Sequence, residues 1–259
     1  MKQNFIFFGL ILLTSLSVNA QKQLSSGVYD WEKIPAKKIP TGEFRSFFSS
    51  STRSLNSFEI TAITQIPGEE GNQFNTGGGF DELIIVKEGK IDIRVKGDQR
   101  ILGEGSVIVV PQGEEISIIN PLTTNAVYFL ITFNPLKKAK IPLNPEVVPS
   151  LYIDWRDLEF KPSDNGGRRN VMQQRTTTLK DLEIHVTTLK EGAPSHAAHI
   201  HPDEEIILVK KGFVEETIKG VPFKLGPGSV IFLTNDDLHG ISNAGKGECE
   251  YYAIRWLTN

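Results

Sequence analysis

The chain has 259 residues, 39% apolar and 23% charged, and Lys+Arg 28 against Asp+Glu 31 leaves a net charge of -3. That length accommodates one large domain or two ordinary ones, and the apolar fraction supports packed cores rather than a largely disordered chain. A slightly acidic balance without a Lys/Arg cluster argues against a nucleic-acid partner, and a single cysteine excludes an intrachain disulfide or a cysteine-cluster metal site.

The first twenty residues read as an address. Lys2 supplies a short positive region, Phe5 to Leu13 is a continuous apolar run, and Val18-Asn19-Ala20 ends on residues that a signal peptidase accepts. The expectation is a Sec-type signal peptide over residues 1–20, cleaved after Ala20, and a periplasmic or secreted mature chain. Losing Lys2 leaves 27 basic against 31 acidic residues, a net charge of -4. The apolar run is shorter than the ~20 residues of a bilayer span, so no membrane partner is expected after cleavage. No cysteine lies near the cleavage point to carry a lipid.

The remainder is one unit written twice. Asp30-Trp31 recurs as Asp154-Trp155, and Leu55 to Ile60 recurs as Leu179 to Ile184, both at an offset of 124. Val86-Lys87-Glu88-Gly89 recurs as Val209-Lys210-Lys211-Gly212, Gly105-Ser106-Val107-Ile108 as Gly228-Ser229-Val230-Ile231, and Asn120 as Asn243, all at an offset of 123. Such self-similarity means two copies of one domain. The expected organisation is an N-terminal domain over 21–140, a proline-marked linker over 141–150 and a C-terminal domain over 151–259. Inside each copy the hydrophobic period is two. Lys90 to Val95 alternates, and Glu82 to Val86, Val107 to Val110, Tyr128 to Phe133, Glu205 to Val209, Val230 to Leu233 and Tyr251 to Trp256 are apolar runs between turn signals. Short strands at this spacing predict an all-β sandwich or barrel.

All five histidines, His185, His196, His199, His201 and His239, fall in the second copy. His199 and His201, at i and i+2, share a face if the backbone is extended. Glu205 follows across a Pro202-Asp203-Glu204 turn, and His239 comes after a further strand. Three imidazoles and one carboxylate suit a first-row divalent metal.

Gly192, His199, His201, Glu205 and Gly212 are spaced as in the first cupin motif, with one extra residue between Gly192 and His199. Gly228, His239 and Asn243 resemble the second motif, with Thr234 and Asp236 where that motif usually carries Pro and Gly. The chain therefore resembles a bicupin. The resemblance implies two tandem jelly-roll barrels with a metal held by His199, His201, Glu205 and His239 in the second. In the first copy, Thr76, Gly78 and Ile116 stand where His199, His201 and His239 are aligned, and only Glu82 remains. That copy is expected to hold no metal and to serve as structure, packing partner or substrate enclosure. Gly77-Gly78-Gly79 is followed by no helical pattern, so it lacks the logic of a phosphate cradle.

The family is known with manganese, iron, nickel and zinc, so the resemblance implies one divalent transition metal without fixing which. A chain exported unfolded fills its site outside the cytoplasm, where the tighter-binding end of the divalent series has the advantage. His196 and Glu204 are the candidates for proton transfer, and Arg255 and His185 for substrate contact. The expected partner is a small polar, oxygen-rich metabolite such as a sugar acid, a keto or hydroxy acid or a ureide; a homo-oligomer is also compatible with the sequence. Cupins with this ligand set include isomerases, lyases, hydrolases and dioxygenases as well as non-catalytic sugar or ligand binders, and fold does not select among them. Ureidoglycine aminohydrolase-type bicupins are similar in part, with a different ligand pattern. The lone Cys249, between Glu248 and Glu250, reads as a structural thiol.

Overall fold

The computed structural model describes residues 23–68, 70–75, 80–137 and 149–258. The segment 1–20 expected to be a signal peptide, the positions Thr76 to Gly79 and residues 141–148 of the expected linker lie outside the described residues. The fold is all-β, two tandem jelly-roll barrels. In the N-terminal half a seven-stranded sheet runs in the order Leu151–Ile153, Val107–Val110, Asp81–Glu88, Ala126–Pro135, Leu55–Gln65, Gly42–Ser50, Lys37–Ile39. A four-stranded sheet, Glu70–Asn75, Glu115–Ile119, Lys90–Val95, Asp98–Gly103, completes that half. The C-terminal half repeats the plan. Its large sheet is Gly27–Tyr29, Val230–Leu233, Glu204–Lys211, Cys249–Leu257, Asp181–Leu189, Gly166–Gln174, Lys161–Ser163, and its small one is Val221–Leu225, Val214–Ile218, His239–Asn243.

The apolar runs of the sequence are strands buried on both faces. In Cys249–Leu257, Tyr252, Ile254 and Trp256 join a core shared by the two halves, while Tyr251 and Ala253 join the interior of their own barrel. In Glu204–Lys211, Ile206 and Leu208 face the shared core and Ile207 and Val209 face the barrel interior. Aromatic rings knit the shared core across the halves. Phe58 lies 4.9 Å from Trp256 and 6.0 Å from Phe232, and Phe133 lies 5.3 Å from Trp256, between ring centroids. Each fully buried side chain of this size contributes about 1.5–3 kcal/mol. Cys249 is buried and free, with its thiol pushed up to about 11 by burial first and by Glu250 only in small part.

The halves also exchange edges. Gly27–Tyr29 pairs with Val230 to Phe232 of the C-terminal sheet, and Leu151–Ile153 pairs with Val107 to Val109 of the N-terminal sheet. Each exchanged strand leads into a Trp that lies over a glycine of the other half. A Cβ on Gly228 would stand 2.6 Å from the Trp31 ring, and one on Gly105 would stand 2.6 Å from Trp155. The Trp31 and Trp155 amides donate to Ser229 Oγ and Ser106 Oγ, each at 3.1 Å. The repeated Gly-Ser pairs are thus receptors for the exchanged segments.

Two buried carboxylates fasten the halves reciprocally. Glu204 accepts from Thr52 Oγ1 at 2.8 Å, from the Arg53 amide at 2.9 Å and from the Ser54 hydroxyl. Asp81, the corresponding residue of the first copy, accepts from the Thr176, Thr177 and Thr178 hydroxyls and from the Thr178 amide at 2.9 Å. Removing such an acceptor strands several buried donors at once. Glu204→Ala is expected to lower unfolding stability by about 3 kcal/mol, since a hydrogen bond to a charged group is worth ~1.5–3 kcal/mol net. Denaturant unfolding checks this, with metal binding by the folded variant expected to match the unmodified chain.

Candidate metal centre

His199 does not lie in a regular strand. It forms a single antiparallel bridge with His239, the His199 amide donating to the His239 carbonyl at 2.9 Å and the His239 amide returning the bond at 3.1 Å. The i, i+2 geometry still holds. Ile200 is 56% exposed, while His201 is buried on the opposite side. The sequence then turns through Pro202 and Asp203, and Glu204–Lys211 brings Glu205 inward. His239 opens the strand His239–Asn243.

These side chains converge. Ring centroids of His199, His201 and His239 are 5.3, 4.7 and 4.9 Å apart, and each ring offers a nitrogen within 4.8 Å of those of the others. Glu205 Oε2 lies 2.9 Å from His201 Nε2 and 3.6 Å from His239 Nε2. The other nitrogens of two rings face backbone carbonyls, His201 Nδ1 the Asp203 carbonyl at 2.9 Å and His239 Nδ1 the Asp237 carbonyl at 2.8 Å. A carbonyl can only accept, so each Nδ1 carries a proton and each Nε2 is the nitrogen turned toward the Glu205 carboxylate. A ring nitrogen this close to a carboxylate oxygen needs a proton or a cation between the two atoms. Metal-bound histidines are generally oriented by just this outer hydrogen bond, so the residues present fit a divalent metal.

Electrostatics agree. Burial alone would raise Glu205, but the contacts with His201 and His239 outweigh it and hold the carboxyl at about 2. Burial and the neighbouring rings of His196, His239 and His201 press His199 down to about 4. Burial also acts to lower His239, but the Glu205 carboxylate facing it at 3.6 Å and the hydrogen bond to the Asp237 carbonyl prevail and raise it.

A cavity of about 430 Å³ opens onto these residues. In the strand Asp181–Leu189, Leu182, Ile184 and Val186 face the shared core, so the alternate residues face the other way, and His185 and Thr187 line the cavity. Arg255 lines it too, between its strand partners Glu183 and Glu205. Arg255 and Arg168 both donate to Glu183, and His185 Nδ1 lies 3.5 Å from the same carboxylate. Burial and the two guanidiniums hold His185 down at about 4, burial first. Arg255 Nε has no hydrogen-bond partner among the described residues. His196 sits exposed at the rim, with its ring 4.2 Å from that of His199 and its Nδ1 2.9 Å from the Ala197 carbonyl.

Glu204 is a correction. Expected to move protons, it faces the other side of its strand and is consumed by the 52–54 loop; it does not line the cavity. Adjacent residues of a strand point to opposite faces, so Glu205 inward forces Glu204 outward. Among the cavity residues that escaped the sequence reading are Arg168 and Glu216. Arg168 sits in a stretch without alternation. Glu216 was visible as the polar centre of the inward triplet Val214, Glu216, Ile218. It is fully buried, and burial raises its carboxyl to about 8.

In the first half, Glu82 is buried, accepts from Thr132 Oγ1 at 2.9 Å and is raised to about 8, chiefly by burial. Strand pairing there sets Phe74 opposite Ile116, where His199 stands opposite His239 in the second half. The pairing thus makes Phe74, rather than Thr76, the counterpart of His199.

Residues 185–255 match the family model described as Cupin domain, a segment that holds all four expected ligands. Over the chain as a whole, the fold resembles that of several solved structures. Ylba from E. coli is similar at 16% identity and a TM-score of 0.69, over 93% of this chain and 96% of that one. A mutant of Bacillus subtilis oxalate decarboxylase OxdC is similar at 14% identity and 0.69, over 92% of this chain and 78% of that one. AerE from Microcystis aeruginosa follows at 16% identity and 0.64, over 86% and 98%. Comparison with curated protein sequences gives no match.

Because the Glu205 carboxylate and the Asp237 carbonyl raise His239, protons compete with a metal for this ligand. Metal affinity is expected to fall as pH drops through the His239 range, by about tenfold per pH unit for one displaced proton. Titrating metal into the apo protein at a series of pH values measures the slope. A flat profile would exclude His239 from the centre.

Proposed function

We propose that the chain is an exported metal-dependent cupin enzyme acting on a small polar, oxygen-rich anion. A divalent transition metal, manganese, iron, nickel or zinc, is held by His199, His201, Glu205 and His239 in the C-terminal barrel. The convergence of these side chains on one cavity, with two imidazoles oriented by backbone carbonyls, carries this reading. When bound, the metal supplies Lewis-acid polarisation of a substrate oxygen.

The chain's own residues do the rest. Arg255 and Arg168 are fixed by Glu183, which occupies some but not all of their donors. A guanidinium carries five N–H groups in a rigid fork suited to carboxylates, so the free edges of these two residues recognise a carboxylate of the substrate. His185, kept neutral by its low pKa, borders the same end of the cavity. His196 at the rim is the residue placed to hold or move a proton at the cavity mouth. The structural similarity to oxalate decarboxylase, an enzyme whose name specifies a small dicarboxylate, is consistent with this substrate class. The withdrawal of Glu204 removes one proton-transfer candidate and favours a second reading, a non-catalytic metal-dependent binder of the same anions.

Purified protein is expected to carry close to one divalent metal per chain, and His199→Ala or His239→Ala to lose most of it. Metal analysis after reconstitution checks this. Metal-loaded protein is then screened against uronates, keto acids and ureides. Arg255→Ala is expected to weaken binding of the active panel member by about tenfold, within the range for a lost charge-assisted hydrogen bond. His196→Gln is expected to keep the metal and cut turnover by ~10²–10⁴-fold, the usual contribution of an acid–base group. A panel member bound tightly and recovered unchanged selects the binder.

A further inference from the structure

The cavity holds one carboxyl more than the four-residue set uses. Glu216 is fully buried, lines the same cavity as His199, His201, Glu205 and His239, and has no hydrogen-bond partner for either oxygen among the described residues. The Gly240 amide favours its anion slightly but does not reach hydrogen-bonding geometry. Strand pairing places it closely. Ile218 stands opposite His239 and Glu216 opposite Ile241, and directly opposed residues share a face. Glu216 and His239 therefore project into one interior from neighbouring strands, a single pleat apart. His239 Nε2 has no hydrogen-bond partner either.

Val214 and Ile218, the inward neighbours of Glu216, are aliphatic and buried. An aliphatic residue at 216 would extend that packing. A carboxyl there without a partner is unfavourable, because buried charges are ordinarily paired or bound to metals and each orphaned polar group in a native interior calls for a cause. Charge balance supplies one. A divalent cation held by three neutral imidazoles and Glu205 leaves a net positive charge inside a barrel, and a second carboxylate cancels it.

We propose that Glu216 is the second carboxylate of the metal centre, set against the cation directly or through one bound water, so that the centre comprises three imidazoles and two carboxylates. The inference rests on the metal site proposed above. Its test is calorimetric titration of Mn(II) into the metal-free full chain and into Glu216→Gln, which keeps the shape and removes the charge. Glu216→Gln is expected to bind Mn(II) about tenfold or more weakly, the size of effect found for partners of metal ligands. Its metal-free thermal unfolding temperature is expected to equal or exceed that of the unmodified chain, because an unpaired buried acid has been removed. Unchanged Mn(II) affinity in the variant overturns the assignment of Glu216 alone. Absence of binding by the unmodified chain to Mn(II), and equally to Fe(II), Ni(II) and Zn(II), overturns the metal site and this inference together. Should Glu216→Gln fail to fold, Glu216→Met, which matches the aliphatic neighbours, is titrated in its place with the same two outcomes.

Discussion

Two large sheets packed face to face impose a demand on every strand between them. Each must satisfy the shared core on one side and its own barrel on the other. With a period of two, the residue that meets the aromatic lattice of Phe58, Phe133, Phe232 and Trp256 fixes what its neighbours present to the cavity. Ile254 and Trp256 in the shared core turn Arg255 inward. Ile206 and Leu208 there turn Glu205 toward the histidines and Glu204 toward the first half. A slip of one residue would bury Arg255 among phenylalanines and expose Trp256 to the cavity. The apolar contact between the halves therefore sets the register of the polar site, although no residue of the first half lines the cavity among those described.

The same reasoning shows what was legible in the sequence. The duplication, the strand runs and the His199, His201, Glu205, His239 set could be read directly, because repeat offset, period and motif spacing survive in one dimension. Whether His185 and Arg255 face in or out could not, since alternation gives two faces without saying which is wet. The three-dimensional partner of each strand decides that. Glu204 was misassigned because adjacency to Glu205 in sequence suggests proximity, whereas on a strand it guarantees the opposite face. Glu216 was legible in principle, as a charged residue at the centre of an inward aliphatic triplet. The reciprocal Asp81 and Glu204 fastenings were not, because Thr52 to Ser54 and Thr176 to Thr178 carry no motif that names a carboxylate partner far along the chain.

The duplicated halves have diverged in a physically coherent way. Where the second half keeps ionisable groups that a cation can compensate, the first keeps Ile116 buried among aliphatic residues and a Glu82 that burial holds toward its neutral form. A carboxyl sharing a hydrogen bond with Thr132 is a stable interior element without any ion. Among the described residues, loops and strand edges of the first half hold the second through the Thr52–Ser54 contacts and the Gly27–Tyr29 strand.

The exchanged edges bear on how such a molecule comes into being. Ser26, just before the strand Gly27–Tyr29, meets Thr234 across 208 residues of chain. Closing so long a loop is entropically slow and waits on contacts formed elsewhere. The strand Gly27–Tyr29 is thus among the last elements to find its partner. Until Val230–Leu233 has folded, Gly27–Tyr29 has no strand to pair with, and the first sheet lacks an edge until Leu151–Ile153 docks on Val107–Val110. Assembly of the two barrels is therefore a joint event, since each sheet takes an edge strand from the other half's segment of chain.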